Sequence, residues 1–322
     1  HEIIHHDAVT LEENVLVSSS QLIPTDTSTT NTTTNTTPKT PISIDDYIVS
    51  NDMKYVLIFT NAQKVWRLKT MGSYYILTLP TATSPYSLVP LGRNIHSNSN
   101  IHSNNSNIHS SDSNSNSVNE LKYATFSPDY TKVAYVYKNN IYSEEIFTNI
   151  ITQLTYDGSD TIINGNFDWV YEEEFQLYRG YKWSYDSKLI CYWQLDQGNV
   201  QKVHIVNNTN SLYPVVTSIP YPKCGQENAV VRLGLVSVPS NNNNTHNNTN
   251  PPPPPPPPAA ASTTDTISTS NNSKTLWLEL PSMTSKTNKN GKVNRSASEY
   301  YIFDLDFVEP SGSSSGSGSG SG

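Results

Sequence analysis

The residues best suited to chemistry lie in one short run, Asp168-Trp169-Val170-Tyr171-Glu172-Glu173-Glu174-Phe175. Three consecutive carboxylates repel one another unless water or a cation compensates their charge. Trp169, Tyr171 and Phe175 bracket the run, and such aromatic side chains favour burial. Buried anchors would hold the carboxylates in place, and two carboxylates held together suit an ammonium ion through charge-assisted hydrogen bonds. The alternative interpretation is a solvated acidic turn without a ligand.

The backbone of this acidic run must turn if two of its side chains are to meet on one ligand. Neighbours on an extended strand point to opposite faces, so they cannot converge. We therefore expect a helical or bulged turn, with the aromatic residues fixing its two ends.

Other candidates for chemistry carry less information. His96, His102 and His109 are irregularly spaced with no Cys or carboxylate between them, so we expect neither a metal site nor a cofactor. Cys191 lies among strand-forming residues and is expected as a free buried thiol. A disulfide between Cys191 and Cys224 stays open at this stage.

Composition excludes several function classes. The chain has 20 Lys and Arg against 28 Asp and Glu, a formal charge of −8, so it lacks the positive surface that nucleic acid requires. No run of about 18 apolar residues exists, so we expect no transmembrane helix in this chain. No glycine-rich phosphate loop of the known patterns is present.

A repeated signal indicates the elements that must position the acidic run. Three segments combine a Ser, an Asp two residues later and then an apolar strand; they are Ser50-Asn51-Asp52 before Tyr55–Phe59, Ser127-Pro128-Asp129 before Val133–Tyr137, and Ser184-Tyr185-Asp186 before Leu189–Trp193. Short β-branched and aromatic strands in a repeat of about 40–50 residues are typical of propeller blades. We predict an all-β fold, a partial β-propeller of antiparallel four-stranded blades, because three repeats cannot close a large ring.

Polar filler divides the chain, since hydrophobic residues are only 35% and charged residues 15%. Residues 1–40 are interpreted as a partial first-blade strand with a Thr/Asn-rich linker, and 41–310 as the propeller segment. Insertions at 94–117 and 239–273 are expected to be disordered, and 311–322 is a Ser/Gly tail. Because the chain begins at His1 and closes on that tail, we interpret it as a piece of a longer protein.

The acidic run resembles the double-Glu motif in the β-propeller of the dipeptidyl peptidase IV family, within the prolyl oligopeptidase group of serine peptidases. Further similarity follows in order along most of 41–305; the segments are Ile44–Ser50, Val65-Trp66-Arg67, Ala124–Asp129, Lys132–Val136, Asn140-Ile141-Tyr142, Gln153-Leu154-Thr155, Ile163-Asn164-Gly165, Pro220–Lys223 and Tyr300-Tyr301-Ile302.

The resemblance implies roles for three residues. Glu173 and Glu174 would hold the free α-ammonium of a peptide substrate, so that dipeptides are removed from N-termini, while Glu172 faces elsewhere. Arg67 would contact a peptide carbonyl of the substrate, although the chain continues Arg67-Leu68-Lys69-Thr70 where the family usually has Arg-His-Ser. The partners implied are peptides with a free N-terminus, a hydrolase domain outside this chain, and a second copy of the full-length protein.

The family's nucleophile motif is absent from this chain. Trp183-Ser184-Tyr185 imitates it but lacks the glycines that the strained turn needs. We therefore expect the isolated chain to be inactive and its parent to be a serine-type dipeptidyl peptidase. The alternative is a catalytically inactive propeller that serves as a protein-interaction platform. Sequons such as Asn207-Asn208-Thr209 permit glycosylation, and the resemblance favours a secreted or membrane-anchored protein.

Overall fold

The computed structural model describes residues 1–25, 40–81, 84–93, 95, 118–239, 275–278, 302 and 304–307. Apart from Ile95 and Pro239, the insertions predicted at 94–117 and 239–273 lie outside the described residues, as do the tail at 311–322 and the three His residues of the first insertion. Within the described ranges, no helix is both long and apolar enough to cross a membrane.

The first 25 residues form a small unit against the rest of the fold. Strands β1 (Ile3–His6) and β2 (Glu13–Val17) make an antiparallel hairpin, and a 3-10 helix follows at Ser19–Leu22. Ile3, Val17 and Leu22 are buried in a cluster with apolar side chains of the first four-stranded sheet.

Two complete blades follow. Blade 1 contains β3 (Asp46–Val49), β4 (Tyr55–Lys64), β5 (Lys69–Thr78) and β6 (Ser87–Pro90), paired antiparallel in that order. Blade 2 contains β7 (Leu121–Phe126), β8 (Lys132–Tyr137), β9 (Asn140–Glu145) and β10 (Ile151–Gln153), also antiparallel and in order. A short pairing of β5 with β7 at Met71 and Gly72 joins the two blades.

Blade 3 has a first strand in two pieces. Strand β11 (Ile162–Asn164), α-helix α1 (Trp169–Glu173) and strand β12 (Tyr181–Trp183) follow one another, and both strands pair with β13 (Leu189–Asp196). The blade continues through β16 (Val230–Ser237) to β17 (Leu276–Leu278). Between β13 and β16, the chain forms a separate hairpin of β14 (Lys202–Asn207) and β15 (Val215–Pro220).

The turn after the first strand of each blade has one geometry in all three copies. The Ser hydroxyl donates to the Asp carboxylate at 2.6–2.7 Å, in Ser50–Asp52, Ser127–Asp129 and Ser184–Asp186. The same hydroxyl accepts the backbone N–H of the residue that begins or adjoins the next strand. The residue three after each Ser has a left-handed φ of 54–61°, at Met53, Tyr130 and Ser187. We call these the Ser-x-Asp turns.

Neighbouring Ser-x-Asp turns also contact one another. The Asn51 N–H donates to the Tyr130 hydroxyl at 3.0 Å, and the Asp129 N–H donates to the Ser187 hydroxyl at 3.1 Å. The turns therefore place the three blades side by side. The prediction of a partial β-propeller with antiparallel four-stranded blades is confirmed.

Candidate functional site

The acidic run lies in an excursion that splits the first strand of blade 3. Gly165 and Gly180 close the base of this excursion, since the Gly180 N–H donates to the Gly165 carbonyl at 3.1 Å. Gly165 has φ +67°, and a Cβ there would lie 2.7 Å from Ile141. A side chain at this position would therefore meet both backbone strain and a clash. The excursion leaves the blade and returns to it at nearly the same point.

Helix α1 forms because both of its ends are satisfied locally. Asp168 is the N-cap, and its carboxylate accepts the Tyr171 N–H at 3.0 Å. At the other end, the Glu174 N–H donates to the Val170 carbonyl at 3.0 Å. Tyr171 stacks on Phe167 with ring centroids 5.1 Å apart and meets Phe175 edge-on at 5.6 Å. The predicted helical turn with aromatic anchors is confirmed.

The three glutamates have different surroundings. Glu172 is buried, with 3% of its surface exposed. The Glu173 side chain is 9% exposed. Glu174, at the C-cap of α1, is exposed, and among the described residues its carboxylate has no hydrogen-bond or ion-pair partner. One helical turn thus presents carboxylates from the interior to the solvent.

Arg67 meets Glu173 although the two residues are 106 positions apart in the chain. Arg67 lies in the short connection between β4 and β5 of blade 1. Its Nε is 2.9 Å from Glu173 Oε2, and its backbone N–H donates to Glu173 Oε1 at 3.0 Å. The Arg67 side chain remains 78% exposed. Two of the three predicted site residues are therefore in direct contact, and Glu174 follows Glu173 in the chain.

The Arg67–Glu173 pair leaves unused capacity on both partners. A carboxylate offers about four acceptor positions, and Arg67 occupies one on each Glu173 oxygen. The Arg67 guanidinium donates from Nε, and its four Nη–H groups have no hydrogen-bond partner in the described part of the chain. The pair can therefore accept N–H donors on one side and offer N–H donors on the other.

Burial shifts the pKa values of the charged groups next to the Arg67–Glu173 pair. Loss of hydration raises the pKa of Glu172 to about 7, an effect that Lys122 opposes and Glu173 reinforces. Burial likewise lowers the pKa of Lys122, and the Glu172 charge opposes that shift. Glu172 Oε1 has no hydrogen-bond partner among the described residues. Asp168 also has a raised pKa, because burial outweighs the backbone N–H groups that its carboxylate accepts.

Two clefts among the described residues lie away from the acidic run. These adjoining clefts, of ≈ 180 and ≈ 390 Å³, lie between the first strands of the three blades and share Ile48, Thr125 and Arg179. Neither is lined by Arg67 or by a glutamate of α1. The charge and the unused hydrogen-bonding capacity lie on the Arg67–Glu173 side, so we place the candidate site there.

Ser184, Cys191 and Cys224, which the sequence also singles out, lie outside the acidic run. The Ser184 hydroxyl donates to Asp186 and accepts the Leu189 N–H, as in the other two Ser-x-Asp turns. Cys191 and Cys224 are free thiols, the first buried and the second exposed. Burial raises the pKa of Cys191 to about 11, which disfavours its thiolate.

Sequence reasoning missed two residues that adjoin the acidic run. Lys122 stands in β7 within an otherwise uncharged strand, and a lone Lys there is a signal for a buried acidic partner. The Tyr221 ring packs against Trp169 in a tilted arrangement with ring centroids 4.4 Å apart. Its segment Pro220–Lys223 resembles the family in sequence, but no local pattern indicates which residue Tyr221 contacts.

Comparison with known proteins identifies the family of this chain. Residues 50–289 match the model of the dipeptidyl peptidase IV (DPP IV) N-terminal region. Dipeptidyl aminopeptidase B of Saccharomyces cerevisiae is 30% identical over 202 residues, which are 61% of this chain and 21% of that protein. Inactive dipeptidyl peptidase 10 of Mus musculus is 28% identical over 192 residues, 59% of this chain and 21% of that protein.

A solved structure shows the same fold. The crystal structure of Porphyromonas gingivalis dipeptidyl peptidase 4 matches with a TM-score of 0.55 and 24% identity, covering 73% of this chain and 28% of that one. The chain spans about a fifth of the length of the curated relatives that it matches. On the match over residues 50–289, this chain belongs to the family of dipeptidyl peptidase IV N-terminal regions.

Proposed function

We propose that this chain is the N-terminal propeller portion of a dipeptidyl peptidase IV-like serine peptidase. In this proposal Glu173 and Glu174 hold the α-ammonium of a peptide substrate, and Arg67 contacts a peptide carbonyl. The hydrolase domain, with its Ser, Asp and His, lies outside this chain. The observation that carries the proposal is the Arg67–Glu173 contact, which holds a nearly buried carboxylate beside an exposed one on a single helical turn.

The charge balance of the site favours an ammonium ligand. Glu173 and Glu174 carry two negative charges, and Arg67 supplies one positive charge. An α-ammonium would bring the missing positive charge together with three N–H donors. Charge-assisted hydrogen bonds of this kind are about twice as strong as neutral ones.

Binding of the ammonium explains how such an enzyme would remove a fixed number of residues from the N-terminus of a peptide. A fixed N-terminus places one particular peptide bond at the nucleophile, and positioning is a large part of catalysis. An internal peptide segment presents an amide where the ammonium would sit, so it offers one N–H donor and no positive charge, and it forms no ion pair there. The four unpartnered Nη–H donors of Arg67 suit the first peptide carbonyl after that ammonium.

A chromogenic dipeptide amide tests the proposal. The full-length protein should release p-nitroaniline from Gly-Pro-p-nitroanilide and should fail on the N-acetylated form, which has no ammonium. The isolated 322-residue chain should release nothing above background. Hydrolysis of both forms at similar rates, or serine-inhibitor-sensitive hydrolysis by the isolated chain, would contradict the proposal.

The second candidate function is an inactive interaction platform. The 28% identity to a relative named inactive dipeptidyl peptidase 10 supports this alternative, since it matches nearly as well as a named aminopeptidase. The coding sequence beyond Gly322 discriminates between the two. An intact Ser, Asp and His set in a hydrolase domain supports the peptidase, and a hydrolase domain without that set supports the platform.

A homodimer of the full-length protein belongs to the same proposal. The hairpin of β14 and β15 pairs with no other strand in the described part of the chain. Its exposed apolar side chains include Ile205, Val206, Val215 and Val216. Exposed apolar surface of this kind is typical of protein contacts, so the hairpin is the surface that we assign to a second copy.

A further inference from the structure

The contact of the Tyr221 ring with Trp169 connects the acidic helix to the hairpin of β14 and β15. The ring centroids are 4.4 Å apart and the rings are tilted by 52°. Trp169 is the first residue of α1, while Tyr221 follows the last residue of β15. Both side chains are partly buried. The contact therefore brings the base of the exposed hairpin against the N-terminus of the helix.

Trp169 and Glu173 lie on the same face of α1. They are four residues apart, and residues at that spacing stand one above the other on a helix. The restraint that Tyr221 applies to Trp169 is therefore applied to the face that carries Glu173. Arg67 holds the same face at its other end through Glu173 Oε1 and Oε2.

The position of Tyr221 is fixed by the hairpin base. The Tyr221 N–H donates to the Gln201 carbonyl at 2.8 Å, and the next pair along the hairpin is Lys202 with Pro220. This ladder ties Tyr221 to both strands of the hairpin. The hairpin base therefore fixes the Tyr221 backbone at the position from which its ring reaches Trp169.

Helix α1 needs such external support. It has five residues, and helices shorter than about 12 residues are marginal without tertiary contacts. Tyr171 is supported from the interior by Phe167, but it lies on a different face from Trp169 and Glu173. On the Trp169 face, the aromatic support comes from the Tyr221 ring.

We propose that Tyr221 is a positioning residue for the ammonium site, because its ring holds the Trp169–Glu173 face of α1 in register with Arg67. This inference rests on the proposed function of Glu173, and it makes the hairpin base part of the support of that site. Tyr221 touches no substrate. Its effect passes through Trp169 to the carboxylate.

Hydrogen exchange of the 322-residue chain tests the packing part without any activity. Tyr221→Leu removes the ring and keeps an apolar side chain, while Tyr221→Phe keeps the ring. Exchange of the α1 amides of Tyr171, Glu172 and Glu174 should become about 3- to 10-fold faster in Tyr221→Leu and stay unchanged in Tyr221→Phe. No acceleration, or an equal acceleration in β8, would overturn the proposal.

Shortening the hairpin gives a matched control. Replacing residues 205–217 by Asn-Gly removes the exposed tip and keeps the base pairs next to Tyr221. Exchange of the α1 amides should then equal that of the unaltered chain. Acceleration in this variant would assign the support to the tip and overturn the role of Tyr221.

Kinetics of the full-length protein test the functional part. With Gly-Pro-p-nitroanilide, Tyr221→Leu should raise KM about 3- to 10-fold with kcat within about 2-fold, and Tyr221→Phe should match wild type. If Tyr221→Leu lowers kcat and leaves KM unchanged, the loss would indicate that a fraction of the enzyme is unfolded. That result would overturn the proposal. If Glu173→Gln leaves KM and kcat unchanged, the proposed function fails, while the exchange result still decides the packing.

Discussion

The Ser-x-Asp turns and helix α1 are both polar segments of blades, yet the pKa values of their carboxyl groups shift in opposite directions. In the turns, each Asp accepts a Ser hydroxyl from two residues away, and the pKa of Asp52 and of Asp186 is lowered, chiefly by that bond. In α1, burial raises the pKa of Glu172 to about 7 and also raises that of Asp168.

The difference lies in where the compensating groups come from. A Ser-x-Asp turn carries the main donors of its carboxylate within six residues, and its remaining contacts are to the neighbouring Ser-x-Asp turns. Helix α1 takes its partners from other elements, which are Arg67 of blade 1, Lys122 of blade 2 and Tyr221 beside the hairpin. Polar groups satisfied locally stabilise the blades, whereas those held from outside keep capacity for a ligand.

The largest effect that separates the two regions concerns substrate binding. In the proposed full-length peptidase, Glu173→Gln should lower kcat/KM for a free-amine dipeptide amide by roughly 30- to 4000-fold, since breaking one side of such a charge pair costs about 2–5 kcal/mol. Gln keeps the shape and removes the charge. The melting temperature should change little, because Arg67 is 78% exposed and stays hydrated, and the Gln oxygen can still accept an Arg67 N–H.

Two matched variants complete this measurement. Glu174→Gln should show a loss in the same range, and Glu172→Gln should show a much smaller one. Equal losses at all three positions, or none at Glu173 and Glu174, would reduce α1 to a solvated acidic turn.

The next effect is a pH dependence of opposite sign in the two regions. The pKa of Glu172 is raised from 4.5 to about 7 in the folded chain, so the protonated form is favoured there. Its contribution to stability is greatest below pH 4.5 and is lost as pH rises from 4.5 to 7, by about 3 kcal/mol at most. Glu172→Gln should reduce this slope in urea unfolding measured at pH 5 and pH 7.5, and should leave the part that comes from Glu144, whose pKa burial also raises to about 7.

The Asp residues of the Ser-x-Asp turns give a pH dependence of stability with the opposite sign. The pKa of Asp129 is lowered by bonds from Ser127, Thr131 and Ser187, which outweigh its desolvation. The contribution of Asp129 to stability is present above pH 3.8 and is lost as pH falls below that value.

A Glu172→Gln variant that retains the full slope of stability between pH 5 and 7.5 would place the titrating group elsewhere, with Glu144 the first candidate because burial raises its pKa to about 7.

The same contrast explains what the sequence could predict. Three local matches in the sequence predict the Ser-x-Asp turns. The turn between β8 and β9 is equally local, since Lys138 and Asn139 both have positive φ, as a two-residue hairpin loop requires. The Arg67–Glu173 contact joins residues 106 positions apart. No spacing rule reaches that far, and only the family resemblance named both residues.

The hairpin of β14 and β15 shows a second limit. Lys202–Asn207 and Val215–Pro220 are rich in β-branched residues, a composition that favours strands. Their exposure on both faces depends on the blade closing without them, through the pairing of β13 with β16. Local propensity predicts a strand but does not say which sheet it joins.

The smallest predicted effect belongs to the turns. Ser127 is fully buried; its hydroxyl donates to Asp129 and accepts the Lys132 N–H at 3.0 Å. Ser127→Ala leaves that N–H and the Asp129 carboxylate without this partner, so the free energy of unfolding should fall by about 1–2 kcal/mol. Ser127→Thr keeps the hydroxyl and is the control. Because the turn satisfies itself, hydrogen exchange of the α1 amides should stay at the wild-type rate, measured under conditions where the chain is folded. Faster exchange in α1 would show that the two regions are coupled, which the local bonding of the Ser-x-Asp turns argues against.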